Sequence, residues 1–232
     1  MVFGGLMKLT LLDYPEKVAC TVFTKGCNLR CPFCHNATLV CGRDCEQLTE
    51  EEVLAFLDKR KHVLEGMCLT GGEPLLNDID DLCAFLGNVK GLGYSVKLDT
   101  NGFFPDKLQR LVANGLVDYV AMDVKNSLSR YAETIGCVAD LAKMQQSVAY
   151  LRSDIVPYEF RMTVTGNHHD EQSVAELGQW LAGDSKMFLQ KFVDSGDILD
   201  KSTTGCDEET MKRYRQILLS YLPNTHLRGV EE

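Results

Sequence analysis

Three thiols fall within eight residues of the segment Gly26-Cys27-Asn28-Leu29-Arg30-Cys31-Pro32-Phe33-Cys34-His35-Asn36. Thiolates are soft donors suited to iron–sulfur iron, and the C-x3-C-x2-C spacing lets one loop wrap them around a single cluster. Pro32 disfavours α-helical backbone at Cys31 and so keeps the segment a loop. With only three ligands grouped, one iron is left open to substrate, as catalytic metal sites leave a position open. The cysteines alone also fit a zinc site or an electron-transfer cluster, with Cys41 or Cys45 as the fourth ligand.

Further along, Thr70-Gly71-Gly72-Glu73-Pro74 combines two glycines with an acid. Paired glycines let backbone approach a ligand without a Cβ clash, and Glu73 suits charge-assisted hydrogen bonds from an ammonium group. A strand-to-helix turn would use the same glycines without a ligand. Leu98-Asp99-Thr100-Asn101-Gly102 and Met122-Asp123-Val124-Lys125 place two more acids where a buried charge needs a partner or a cation. Asn101-Gly102 also reads as a tight turn. Arg161 suits a carboxylate or ribose acceptor, with a surface salt bridge as the alternative. His168 and His169 read as solvent-exposed, and no proton transfer is assigned to His35.

These groups need elements to hold them. Val18 to Thr24 is rich in β-branched and aromatic residues and predicts a first strand. Thr49-Glu50-Glu51-Glu52 resembles a capping box, and Val53, Leu54 and Leu57 then repeat at helical spacing. Strand candidates at 66–70, 94–98, 118–124, 158–164 and 187–192 are followed by helix candidates at 79–86, 105–113, 139–151, 170–181 and 208–221. Six strand–helix units predict an α/β fold with a parallel sheet and right-handed crossovers, a partial (β/α)6 barrel of the TIM type. Ligands in such folds gather beyond the C-terminal strand ends, where the motifs fall.

The 232 residues suit a single domain over 1–232, with a core of about 16–193 and a C-terminal extension of about 194–232. A net charge of −9 argues against a nucleic-acid footprint, and Lys8, Lys17, Lys25 and Arg30 read as solvated surface charges. No apolar run reaches the ~20 residues of a membrane span, and the opening lacks the basic flank of a secretory signal. The expected location is cytoplasmic, where ten cysteines are judged as ligands or catalytic groups before disulfides. Cys20, Cys68 and Cys83 read as small core residues, Cys41 and Cys45 as accessory thiols or loop residues.

The cysteine loop, with aromatic Phe33 before its third cysteine, resembles the signature of radical S-adenosylmethionine enzymes. That resemblance implies that Cys27, Cys31 and Cys34 ligate a 4Fe–4S cluster whose fourth iron binds S-adenosylmethionine. One electron then breaks the sulfonium carbon–sulfur bond to give a 5′-deoxyadenosyl radical. It further implies that Phe33 contacts adenine and that Gly71, Gly72 and Glu73, as the GGE motif, meet the methionine amino group. Lys97-Leu98-Asp99-Thr100-Asn101-Gly102 resembles the DTNG motif of glycyl-radical activating enzymes, which implies that Asp99, Thr100 and Asp123 organise a monovalent cation. Lys125 and Arg161 are then candidates for cofactor contact.

The opening Gly5-Leu6-Met7-Lys8-Leu9-Thr10-Leu11-Leu12-Asp13-Tyr14-Pro15-Glu16-Lys17-Val18-Ala19, the Cys-His-Asn ending of the loop, residues 117–125 and Leu189-Gln190-Lys191-Phe192 extend the likeness. They are similar to the activating proteins of anaerobic ribonucleoside-triphosphate reductase, over residues 5 to about 193. Val193-Asp194-Ser195-Gly196-Asp197 departs from the Arg-Pro-Gly type of ending. The implied reaction abstracts hydrogen from a glycine Cα of a partner reductase, with flavodoxin or ferredoxin as electron donor. The alternatives are a radical enzyme acting on a small molecule or peptide, resembling 7-carboxy-7-deazaguanine synthase, and a non-catalytic iron–sulfur electron carrier.

Overall fold

The expected alternation of strands and helices is present in a computed structural model, which describes residues 1–42, 45 and 47–231. In chain order the elements are β1 (Val2–Thr10), β2 (Ala19–Thr24), α1 (Ala37–Cys41), β3 (Leu48–Thr49), α2 (Glu50–Arg60), β4 (Gly66–Gly71) and α3 (Ile79–Gly91). There follow β5 (Ser95–Thr100), α4 (Pro105–Ala113), β6 (Tyr119–Asp123), α5 (Tyr131–Ile135), α6 (Leu141–Leu151) and β7 (Tyr158–Val164). The last are α7 (Glu171–Leu181), β8 (Met187–Lys191), α8 (Glu208–Leu219) and β9 (Thr225–Arg228). The protein is thus an α/β fold with mostly parallel strands, and β2, β4, β5, β6, β7 and β8 supply the six strand–helix units.

The chain divides into two compact units. The first holds residues 1–28, 38–121 and 142–157. In it β2 runs parallel to β4 with Val22 opposite Leu69, and β4 runs parallel to β5 with Leu69 opposite Leu98. All three residues are fully buried, as the near-continuous apolar runs of a parallel sheet require. Phe3 and Phe85 meet at 4.8 Å between ring centroids and join β1 to α3. The capping box read from the sequence is formed: Thr49 N–H donates to Glu52 Oε2 at 2.8 Å, and Glu52 N–H to Thr49 Oγ1 at 3.3 Å.

The second unit holds residues 29–37, 122–141 and those from 158 onward. Here β7 is parallel to β8 and β8 to β9, with Met162 opposite Leu189 and Leu189 opposite Leu227. Asp170 caps α7 through a second reciprocal pair with Ser173. Arg228 forks onto buried Glu159 at 2.9 and 3.0 Å and lies over the Phe188 ring, so the paired charge and the aromatic face share one guanidinium.

Three expectations need correction. The strand expected first, at 18–24, is the second: the opening residues form β1, antiparallel to it with Leu6 opposite Val22. Cys83 is half-buried on α3, whereas Cys20 and Cys68 are core residues as expected. His169 is only 5% exposed, because its ring closes the turn after β7 instead of facing water.

Candidate functional site

The cysteine loop leaves β2 through Gly26, whose φ of 76° lies in the left-handed region and whose N–H donates to Leu39 O at 3.0 Å. Along the chain the loop passes from the first unit to the second between Asn28 and Leu29. Cys27 and Cys34 are half-buried and Cys31 is buried. Cys34 N–H donates to Cys31 O at 3.0 Å, which folds Pro32 and Phe33 into a turn between two thiols. Neighbours within the second unit fix this turn. Arg30 N–H donates to Ile135 O at 2.9 Å, Asp200 N–H to Pro32 O at 2.9 Å, and Ala37 N–H to Asp197 O at 3.5 Å. Phe33 is buried against the His168 ring at 5.9 Å, and His35 lies 5.3 Å from Phe192.

None of the ten cysteines, all of them described, is in a disulfide. Among the described residues no three His, Cys, Asp or Glu side chains gather at single-ion distances. A cubane is wider than one ion, and three soft thiols on one loop fit it by donor chemistry. Burial pushes the Cys34 thiol up from its ordinary value, with Lys125 acting in the opposite direction.

In the first unit the two glycines are required by backbone, at positions where the sequence suggested approach to a ligand. A Cβ on Gly71, where φ is 110°, would stand 2.5 Å from Thr24 N, and one on Gly72 would stand 1.8 Å from Gly26 O. Gly72 N–H donates to Thr24 O at 2.9 Å and Glu73 N–H to Gly26 O at 2.8 Å, so the turn after β4 is laced to the chain entering the cysteine loop.

Glu73 is 1% exposed and braces two strand ends. Its Oε1 accepts from Leu75 N–H at 3.0 Å and from the Thr100 hydroxyl at 2.8 Å, while Oε2 accepts from Asn101 N–H at 2.7 Å. Hydrogen bonds to a buried carboxylate are stronger than neutral ones, and losing a donor is correspondingly costly. Thr100 is therefore engaged by its side chain in holding Glu73. Asn101, which the sequence presented as a turn residue, also sends its amide to Cys27 Sγ at 3.7 Å. A hydrogen-bonding amide next to a strand-end acid was the only signal that could have singled it out.

Asp99 is paired with Lys97, two residues earlier on the same face of β5. Lys97 is 1% exposed, and its Nζ also lies 3.8 Å from Cys68 Sγ. In the second unit Asp123 is held by Lys125 Nζ and by Arg161 Nε, each at 3.0 Å. Burial works against the Asp123 carboxylate, but the Arg161 and Lys125 charges overcome it and hold it down at about 2. Burial likewise opposes the Lys125 ammonium, and Asp123 and Cys31 raise it above the usual lysine value. Arg161 therefore has a partly buried partner, not a surface one.

Each of the two acids expected at a monovalent-cation site has a cationic partner within its own unit, Lys97 for Asp99 and Lys125 with Arg161 for Asp123. If these partners alone satisfy the acids, the melting temperature of the native protein will be the same in potassium chloride and in tetramethylammonium chloride at equal ionic strength. Lys97→Met will lose about 3–5 kcal/mol by stranding Asp99. A potassium-specific stabilisation of the native chain would support the cation site.

His169 supports Lys125 from behind: its Nε2 bonds Lys125 O at 2.8 Å, and its Nδ1 accepts from Thr165 N–H at 3.1 Å. Burial lowers its pKa to about 4 from the ordinary 6.5, and the hydrogen bonds to Lys125 O and Thr165 offset this only in part. The folded state thus binds this proton less readily than the unfolded chain. Stability from His169 is complete above pH 6.5 and is lost as pH falls toward 4, by roughly 3 kcal/mol in all. Urea denaturation at pH 7 and pH 4.5 should show a smaller difference for His169→Gln than for the native chain. Equal differences would remove His169 from the acid response.

Among the described residues no helix is long and apolar enough to cross a membrane. A family model described as the Radical SAM superfamily matches residues 21–181. Over 98% of this chain and 95% of its own length, a Methanocaldococcus jannaschii protein provisionally named a glycyl-radical enzyme activating enzyme is 28% identical. A 7-carboxy-7-deazaguanine synthase of Halobacterium salinarum is 36% identical, over 35% of this chain and 30% of its own. Among solved structures, a radical SAM methyltransferase from Sphaerobacter thermophilus superposes with a TM-score of 0.74 at 18% identity, covering 95% of this chain and 68% of that one. That likeness is one of fold.

Proposed function

The chain belongs to the radical SAM superfamily, whose members use a 4Fe–4S cluster and S-adenosylmethionine, and from that membership we propose that it activates a glycyl-radical enzyme. The observation that carries the reading is the near full-length similarity to the Methanocaldococcus jannaschii protein named for that activity. The partner we propose is an anaerobic ribonucleoside-triphosphate reductase, on the resemblance of the opening segment and of residues 97–102 and 117–125. A flavodoxin or ferredoxin supplies the electron.

In this reading Cys27, Cys31 and Cys34 hold the cluster. The bound cluster and cofactor supply one-electron cleavage of the sulfonium carbon–sulfur bond and the hydrogen abstraction that follows. The chain's own residues orient the parts. Gly71 and Gly72 bring the β4 turn onto the start of the cysteine loop, and Glu73 ties that turn to Thr100 and Asn101. Within the first unit Asp99 is paired with Lys97, and within the second Asp123 is paired with Lys125 and Arg161; Asp99, Asp123, Lys125 and Arg161 are the residues proposed for cofactor and monovalent-cation contact. Phe33, sealed against His168, stiffens the segment between Cys31 and Cys34.

Reduced, reconstituted protein mixed with the candidate reductase and S-adenosylmethionine should give a glycine-centred doublet in electron paramagnetic resonance. Cofactor cleavage without the doublet would favour the small-molecule reading, which the local similarity to 7-carboxy-7-deazaguanine synthase supports. An intact cluster without cleavage would leave an electron carrier.

A further inference from the structure

Asn101 follows β5 in a turn that sequence alone reads as conformational punctuation. Its side chain is nonetheless 6% exposed and fully oriented. Which end of an amide carries oxygen is set by its hydrogen bonds, and here they are decisive. Asn101 Oδ1 accepts from Phe103 N–H at 3.1 Å, so the amino end must point the other way. That NH2 carries two hydrogens and faces two acceptors: Asn28 Oδ1 at 2.8 Å and Cys27 Sγ at 3.7 Å. The backbone beneath is held too. Asn101 N–H donates to Glu73 Oε2 at 2.7 Å, and Gly102 O accepts from the Ser147 hydroxyl of α6 at 2.7 Å. Buried Glu73 braces both sides: its Oε2 accepts from Asn101 N–H, and its own N–H donates to Gly26 O at 2.8 Å on the chain that delivers Cys27.

We infer that Asn101 is a positioning residue for the iron–sulfur cluster: its amide directs Cys27 and donates a hydrogen bond to the sulfur that ligates iron. The inference rests on Cys27 being a cluster ligand, as proposed above. The Cys27 thiol can point its own hydrogen at Asn28 Oδ1, 3.9 Å away. As a ligand the sulfur has no proton and only accepts, so the Asn101 donor is then a polar contact of the right sign. A donor aimed at a ligating sulfur stabilises the reduced, more negative cluster and raises its reduction potential. Asn28 Oδ1 takes the second amide hydrogen and thereby fixes the direction of the first.

The test uses the full chain, reconstituted anaerobically with iron and sulfide, as wild type, Asn101→Ala, Asn101→Ser and Asn101→Asp. Cluster content is read by iron and sulfide assay, fold by thermal melting, and potential by redox titration followed by electron paramagnetic resonance. The expected result is a lower potential in Asn101→Ala than in wild type, the lowest in Asn101→Asp, and partial recovery in Asn101→Ser, which retains a donor. Cluster loss with the melting curve unchanged also supports the role, because Cys27 is then misdirected within an intact fold. Unchanged potentials at full cluster content overturn it. So does cluster loss accompanied by a matching loss of fold, which makes Asn101 part of the scaffold only. A wild-type protein that takes up no cluster is a different failure, that of the ligand assignment itself.

Discussion

Protein carrying Cys34→Ala, reconstituted anaerobically with iron and sulfide, will release no 5′-deoxyadenosine from S-adenosylmethionine above background. The expected loss exceeds ~100-fold, the upper end of what removal of a merely supporting contact at a metal site costs. Cys34 closes the turn from Cys31 through its backbone N–H, so alanine keeps the backbone bond and removes only the sulfur. The fold should therefore survive, with a melting curve near that of the native chain. Cys41→Ala, at an exposed thiol on α1, should keep both cluster and turnover. Equal loss in Cys34→Ala and Cys41→Ala would return the site to a four-thiolate centre. Full turnover in Cys34→Ala would remove it from the ligand set.

The second large effect is structural and falls on Gly72. Gly72→Ala places a methyl group 1.8 Å from Gly26 O, where no rotamer can move it away because Cβ is fixed by its own backbone and the oxygen belongs to backbone. The chain must separate there and stretch the bonds from Gly72 N–H to Thr24 O and from Glu73 N–H to Gly26 O. Overpacking that displaces backbone costs about 3 kcal/mol or more, and at this chain length each kcal/mol lowers the melting temperature by ~2–4 °C. Gly87→Ala is the matched control. It lies on α3 with nothing within 4 Å of its Cβ position, and it should gain about 0.5–1 kcal/mol from helix propensity. Urea titration of the two proteins measures both signs at once, and a Gly72→Ala midpoint at the native value would show that the close approach is relaxed in solution.

Much of this molecule was legible because its strands are buried on both faces. Val22, Leu69, Val96, Leu98, Met162 and Leu189 stand in apolar runs that alternate with capped amphipathic helices, which makes six units readable. β1 was harder, since it is an antiparallel strand with exposed Met7 and Leu9 and carries Gly4 and Gly5 in place of β-branched residues. β9, only four residues long, contains no run to read.

At the site, motif spacing singled out the cysteines and the strand-end acids as candidates, but spacing carries no information on what each acid touches. A lysine in a strand suggests surface, and Lys97 is buried because Asp99 falls two positions later on the same face. That pairing follows from the period of a strand and could have been read. His169 could not, since its burial depends on Lys125 O and Thr165, neither of which announces an imidazole partner. Asn101 is an intermediate case, in which the residue type that makes a turn also makes a directed donor.

The hold of Asp197 and Asp200 on the loop bearing Cys31 and Cys34 has a consequence for biogenesis. The thiols are synthesised early, but the backbone groups that clamp Pro32 and Ala37 are translated more than 160 residues later. A nascent chain emerging from the ribosome exposes three thiols on a segment that lacks those clamps. Iron delivered at that stage would meet a loop without its final shape. Assembly machinery that loads the cluster should therefore act on released chains, and a truncation before residue 197 should be synthesised with all three thiols and yet fail to retain iron.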